Sequence, residues 1–247
     1  MNKKKRILII ALVFVISVII AFGIYFGINL IHKNSVKNVN SLAYASGQIK
    51  KPNKNPIDFK SLKKKNNEIY GWIKVDGTTV DYPILQSEKD DEFYLDHNVK
   101  KDYDIYGAIY TESANSKNMT DRNTVLYGHN MLDGSMFASL HKFRDKKFFD
   151  KNKYIYIYIE KHVLKYEIFA AYKTDDAHIL NSYDFSKDKV YKDYLENAQN
   201  PKSLIVNTRE AGLTVDDKIV TLSTCIGNED NYRYIIQGVL RSDTETE

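Results

Sequence analysis

A single cysteine, Cys225, occurs in 247 residues, at the end of Thr221-Leu222-Ser223-Thr224-Cys225 and eight positions before Arg233. A lone thiol forms no intramolecular disulfide and offers too few ligands for a zinc or iron–sulfur site. Three roles remain open: a small buried residue, an intermolecular partner, or a nucleophile. Strand alternation puts Val220, Leu222 and Thr224 on one face and Ile219, Thr221, Ser223 and Cys225 on the other. The cysteine therefore ends a strand on its more polar face. Residues 226–232 read as a polar loop, and the next strand begins near Arg233. If the two strands pair, thiol and guanidinium meet at one rim of the sheet. There the guanidinium favours thiolate or donates hydrogen bonds to a developing oxyanion. Glu229 and Asp230 are candidates to orient it. A half-buried cysteine beside an incidental arginine is the competing reading.

Thiolate acyl chemistry also needs a proton shuttle, and six histidines are available. His32 lies in a polar stretch, His162 in a turn between strands, His178 in a polar loop, and His141 in a predicted helix beside Lys142. His97 closes Phe93-Tyr94-Leu95-Asp96 and reads as structural. His129 follows the strand Thr124-Val125-Leu126-Tyr127 and Gly128, at a strand terminus where side chains are free for chemistry. Spacing alone weighs it about equally against the other five together.

The elements that must position these groups are mostly strands. Gly71 to Val75 and Thr78 to Leu85 flank Asp76-Gly77, a two-residue hairpin signal. Residues 105–110, 124–128, 154–160, 163–174, 218–224 and 234–241 are rich in β-branched and aromatic side chains and read as strands. Helical spacing appears at 57–70, 90–97, 136–149 and 185–198. Eight short strands without βαβ alternation imply a closed or nearly closed barrel decorated by helices.

Ile7 to Ile31 carries no charged side chain over 25 residues. As a helix it spans roughly 37 Å, enough for a tilted crossing of a hydrocarbon core of about 30 Å. A signal peptide has a shorter apolar run closed by a small-residue cleavage site. Ala43-Tyr44-Ala45 mimics one but lies twelve residues past Ile31, so residues 7–31 read as an uncleaved anchor in the lipid bilayer. Lys3, Lys4, Lys5 and Arg6 place residues 1–6 in the cytoplasm and the rest outside the cell membrane, a single-pass topology. Without these four, 32 basic residues face 32 acidic ones, and that balance argues against nucleic acid as a partner. Residues 32–56 read as a polar stalk, 57–242 as one folded domain, and 243–247 as a frayed acidic tail.

Tyr127-Gly128-His129-Asn130-Met131, with Asp133-Gly134-Ser135-Met136-Phe137, resembles the histidine segment of class B sortases. Thr221 to Cys225 followed by Arg233 resembles the nucleophile and arginine segment of that family. Gly71-Trp72-Ile73, Asp81-Tyr82-Pro83-Ile84 and Tyr94-Leu95-Asp96-His97 are also similar to class B sequence. The resemblance covers about residues 57–242, including a helix-bearing insertion between the strands ending near Thr174 and beginning near Lys218. It implies a sortase-type eight-stranded β-barrel decorated by helices behind the transmembrane helix, and an extracellular cysteine transpeptidase.

By resemblance, Cys225 attacks the threonine carbonyl of a C-terminal sorting motif on a surface protein, and a peptidoglycan amine resolves the thioacyl-enzyme. His129 serves as general acid and base, and Arg233 stabilises the oxyanion or substrate. Ser223, Thr224 and Tyr127 are weaker candidates for substrate contact. No cofactor or metal is implied. Class B relatives are associated with motifs of the Asn-Pro-x-Thr type. The alternatives are an extracellular cysteine hydrolase, a pilin-polymerising sortase and a non-catalytic wall-binding module. A papain-like hydrolase places its cysteine before the histidine in a helix-associated motif, the reverse of the order here.

Overall fold

The computed structural model describes residues 2–44, 54–227 and 229–247. The chain divides into two compact units, residues 1–41 and 42–247. The first is formed by α1 (Lys3–Ala43), whose apolar window has a mean hydropathy of 3.3 and is not buried by other residues. It is long and apolar enough to cross a membrane. Residues from 32 onward lack apolar periodicity and are expected as a polar stalk, yet the helix runs on to Ala43. Residues 28–44 contain neither Gly nor Pro. A helix nucleated in the apolar run therefore propagates one bond per residue without needing an apolar stripe. The remainder of that stalk, 45–53, lies outside the described residues.

The second unit enters through α2 (Phe59–Lys65), where Asp58 accepts a capping bond from the Ser61 N–H at 3.0 Å. Phe59 and Leu62 bury its inner face. The strands are β1 (Ile69–Val75), β2 (Asp81–Leu85), β3 (Ile109–Tyr110), β4 (Asn123–Tyr127), β5 (Tyr154–Ile159), β6 (His162–Asp175), β7 (Val206–Thr208), β8 (Ile219–Ile226) and β9 (Glu229–Glu245). They form one sheet in the order β5-β1-β2-β3-β4-β8-β9-β6-β7. Pairing of β5 with β6 closes eight of them into a barrel, and β7 joins the far end of β6. The pairs β2–β3 and β4–β8 are parallel. The predicted eight-stranded barrel is the observed one.

Several local readings are corrected. The first hairpin turns through 76–80 rather than two residues, because the Thr78 hydroxyl donates to the Val75 carbonyl at 2.9 Å and accepts from the Val80 N–H. Helical spacing at 90–97 yields only the 3-10 turn Phe93–Leu95. The helix expected over 136–149 splits into a 3-10 segment Ala138–Arg144 and α3 (Lys146–Lys151), at Asp145, whose carboxylate caps α3 through the Phe148 N–H. The polar loop expected at 226–232 is a tight reversal: β9 starts at Glu229, which faces Ile226 across a bulge. The tail is paired as far as Glu245, opposite His162, so it is strand rather than frayed chain.

Two further helices, α4 (Ile179–Ser182) and α5 (Asp188–Gln199), lie between β6 and β7. Tyr191, Tyr194, Leu195 and Ala198 recur at helical spacing on α5 and are buried with Phe169, Ile219, Ile235 and Val239. Each large side chain buried in this way stabilises the fold by about 1.5–3 kcal/mol. The helix therefore packs on β6, β8 and β9.

Candidate active site

The parallel pairing of β4 with β8 sets Tyr127 opposite Ser223. Gly128 continues it by donating its N–H to the Ser223 carbonyl at 3.2 Å. His129 and Cys225 each lie two residues beyond that pair, so both stand at the same rim of the sheet. The antiparallel pairing of β8 with β9 sets Cys225 opposite Arg233. Tyr127, His129, Ser223, Thr224, Cys225 and Arg233 all line one cleft of about 230 Å³. These six residues, read from the sequence as catalytic or substrate-contacting, are therefore brought together. A larger groove of about 900 Å³ adjoins the cleft, sharing Thr174, Asp175, Ala177, Ile179 and Ile235 with it.

The face of β8 that carries the thiol is polar but not open. The Thr221 hydroxyl donates to Asn123 Oδ1 at 2.8 Å and accepts from Gln237 Nε2 at 3.1 Å. Gln237 Nε2 also donates to the Tyr194 hydroxyl at 2.8 Å, and Gln237 Oε1 accepts from the Tyr172 hydroxyl at 3.1 Å. Residues 219–224 are all buried, and Cys225 is the one half-buried position in the strand. The buried network ends where the nucleophile candidate begins.

His129 is set by its neighbours in the chain. A Cβ on Gly128 would come within 2.5 Å of Ile109 Cδ1 and 2.8 Å of the Phe137 ring, so glycine alone fits this close approach. After His129 the chain closes a loop in which Phe137 donates its N–H to the His129 carbonyl at 2.9 Å and Asn130 bridges Met136. The Met136 N–H donates to the Tyr82 hydroxyl at 3.1 Å. The imidazole Nε2 lies 2.7 Å from the Leu95 carbonyl.

The other groups have identifiable tasks. Arg233 donates from Nη1 to the Tyr232 carbonyl at 3.0 Å. Glu229, one of two candidates to orient it, pairs instead with Lys173, and the side chain of Asp230 lies outside the described residues. Tyr127 stacks on Tyr110 at 5.4 Å. Burial first, and then the nearby Glu112 charge, push its phenol well above the usual range, so it stays protonated.

His97, read as structural from the sequence, stacks on Phe93 at 4.1 Å and lies 2.7 Å from an Asp96 carboxylate oxygen. His141, passed over in the sequence, places Nε2 3.0 Å from the Cys225 carbonyl and stacks on Tyr234. Burial and the nearby Arg144 hold His141 below the usual histidine range. His178, also passed over, pairs with Glu112 at 2.8 Å on the cleft wall. Leu95, His141 and Glu112 had no sequence signal, because a backbone carbonyl and contacts across 66 or 84 residues leave no spacing to read.

The sortase domain family matches residues 73–241. Sortase B of Listeria monocytogenes is 37% identical over 187 residues, covering 74% of this chain and 74% of its own. Sortase B of Staphylococcus aureus is 30% identical over 233 residues, covering 93% of each. Among solved structures, sortase B from Bacillus anthracis in complex with AAEK1 superposes with a TM-score of 0.75 at 33% identity, covering 87% of this chain and 98% of that one. Clostridium perfringens sortase B gives 0.68 at 36% identity, covering 75% and 100%. The barrel, the rim and these relatives agree, and the chain belongs to class B of the sortase family, the cysteine transpeptidases that cleave sorting motifs.

Proposed function

We propose that Cys225 is the nucleophile of this transpeptidase, with His129 as its proton carrier and Arg233 as its oxyanion donor. The observation that carries this reading is the pairing of β4, β8 and β9, which brings His129, Cys225 and Arg233 to the wall of one cleft. The Cys225 thiolate attacks the threonine carbonyl carbon of a sorting motif, forming the S–C bond and an oxyanion. Arg233 donates to that oxygen as charge develops. The C–N bond to the next residue breaks as His129 delivers a proton to the leaving amine. An incoming amine then attacks the thioester, His129 removes its proton, and the C–S bond breaks to release a new amide and restore the thiolate. Two acyl transfers replace one difficult exchange.

The acceptor in this reading is a peptidoglycan amine and the donor a surface protein with a C-terminal sorting motif. The apolar helix α1 anchors the enzyme, with Lys3 to Arg6 on the cytoplasmic side and the barrel outside. Peptides of the Asn-Pro-x-Thr type, with a small amine as acceptor, test the reaction. Cys225→Ala abolishes both cleavage and transfer, and His129→Ala is nearly as severe. Retention of either activity by Cys225→Ala contradicts the assignment of the nucleophile.

A further inference from the structure

A buried charged cluster around Glu68 has no task in transpeptidation. Glu68 is 6% exposed, and its carboxylate accepts from the Tyr94 hydroxyl at 2.5 Å, from Lys101 Nζ at 2.9 Å and from the Glu88 N–H at 3.3 Å. Burial opposes the charge, but the Tyr94 and Lys101 bonds outweigh it and hold the carboxyl below its ordinary range. Asn66 completes the cluster by donating to the Tyr94 oxygen at 2.7 Å. Tyr94 is fully buried and is fastened at both ends, since its own carbonyl accepts from the Ala108 N–H at 2.9 Å.

The next residue is Leu95, whose side chain is 42% exposed and so does little to anchor its backbone. The Leu95 N–H donates to the Glu92 carbonyl at 2.8 Å, and the Leu95 carbonyl is flanked by Tyr94 on one side and Gly107 on the other. Gly107 has φ +57°, in the left-handed region. A Cβ there would lie 2.4 Å from the Leu95 oxygen and 2.6 Å from the Tyr94 oxygen. The glycine backbone is thus the wall against which the carbonyl rests. That carbonyl is the partner of His129 Nε2 at 2.7 Å.

A carbonyl oxygen only accepts, so the nitrogen bonded to it carries hydrogen in both the neutral and the cationic imidazole. Nε2 is thereby committed, and Nδ1 alone is left to take up and release a proton. We propose that Glu68, Tyr94 and Gly107 form a positioning frame that holds the Leu95 carbonyl on His129 Nε2, so that protons pass through Nδ1 in both acyl transfers. The proposal rests on the reading of His129 as proton carrier. It makes Glu68, Tyr94 and Gly107 positioning residues, acting through a backbone oxygen and touching neither substrate nor thiol.

The test uses the full chain in detergent micelles with 15N-labelled histidine, the His129 signals being identified by their loss in His129→Gln. Long-range 1H–15N correlations on neutral His129 report which nitrogen bears the hydrogen. Wild type shows the Nε2–H tautomer. Gly107→Ala displaces the carbonyl, gives a tautomer mixture, and lowers kcat at least about tenfold while peptide KM stays within about twofold, the pattern of a misoriented catalytic group. Tyr94→Phe moves both readouts in the same direction and serves if Gly107→Ala does not fold. An Nδ1–H tautomer in wild type overturns the proposal. So does a Gly107→Ala or Tyr94→Phe enzyme with unchanged tautomer and kcat. Full activity of His129→Gln defeats the prior reading of His129 instead, and the tautomer measurement separates the two failures.

Discussion

Replacing Gln237 by Leu tests the buried network on which the thiol's strand is laid. Gln237 is fully buried and makes three hydrogen bonds, to Tyr172, Tyr194 and Thr221. Leucine fills nearly the same volume, so the cost of a cavity is small. Thr221 keeps its 2.8 Å bond to Asn123, and the Tyr194 hydroxyl keeps Asn123 Nδ2 at 3.4 Å. The Tyr172 hydroxyl is stranded. One stranded buried donor costs about 1–3 kcal/mol, and each of the other two lost bonds costs roughly 0.5–1.5 kcal/mol. The better burial of leucine offsets about 1 kcal/mol of this, leaving a net destabilisation of about 3 kcal/mol.

With a urea m-value of about 2–3 kcal/mol/M, the unfolding midpoint falls by about 1–1.5 M at unchanged slope. The double variant Gln237→Leu, Tyr172→Phe removes the stranded hydroxyl and recovers about 1 kcal/mol or more relative to the sum of the singles. Urea titration of all four proteins in the same detergent gives both numbers. A midpoint shift below about 0.3 M, or strict additivity in the cycle, refutes the reasoning that hydrogen-bond satisfaction holds this face of β8.

Two predictions concern pH. Burial raises the Tyr194 phenol from 10.0 to about 12, so the fold favours its neutral form; stability from this group is intact below pH 10 and is lost as pH rises toward 12. Urea midpoints for wild type fall across that window more steeply than those for Tyr194→Phe, and identical slopes contradict the assignment. His141 is shifted the opposite way: burial, with Arg144, lowers it from 6.5, so its contribution is intact above pH 6.5 and is lost as pH falls through the lowered value. His141→Gln keeps a donor for the Cys225 carbonyl without a titrating group, and loses less stability than wild type between pH 7.5 and pH 5; equal losses refute it.

The readable parts of this protein are those in which side-chain type follows backbone period. Alternation in Ile219 to Cys225 put the thiol on the face of Thr221 and Ser223, where Thr221 is hydrogen-bonded to Asn123 and Gln237. The facing of Cys225 and Arg233 was legible because both flank one reversal, although the reversal is tighter than its polar composition suggested. The full 41-residue length of α1 was not legible, since residues 32–43 have no apolar stripe and are carried on by the absence of helix breakers. The strand β7, three residues with an exposed Val206 and partly buried neighbours, offers too little alternation to detect. The contacts that Leu95 makes to His129 through its carbonyl and His141 makes to the Cys225 carbonyl are fixed by tertiary packing. The partners lie 34 and 84 residues apart, beyond any local pattern.

The central claim is that one thiol carries the acyl group from a sorting motif to an amine. Intact-protein mass spectrometry after mixing the enzyme with a panel of Asn-Pro-x-Thr-type peptides, without acceptor, tests it directly. A covalent adduct with the mass of the peptide through its threonine, mapped to Cys225 and discharged by adding a small amine, is the predicted result. Cleavage of the peptide with no adduct on Cys225, or an adduct on another residue, contradicts the account.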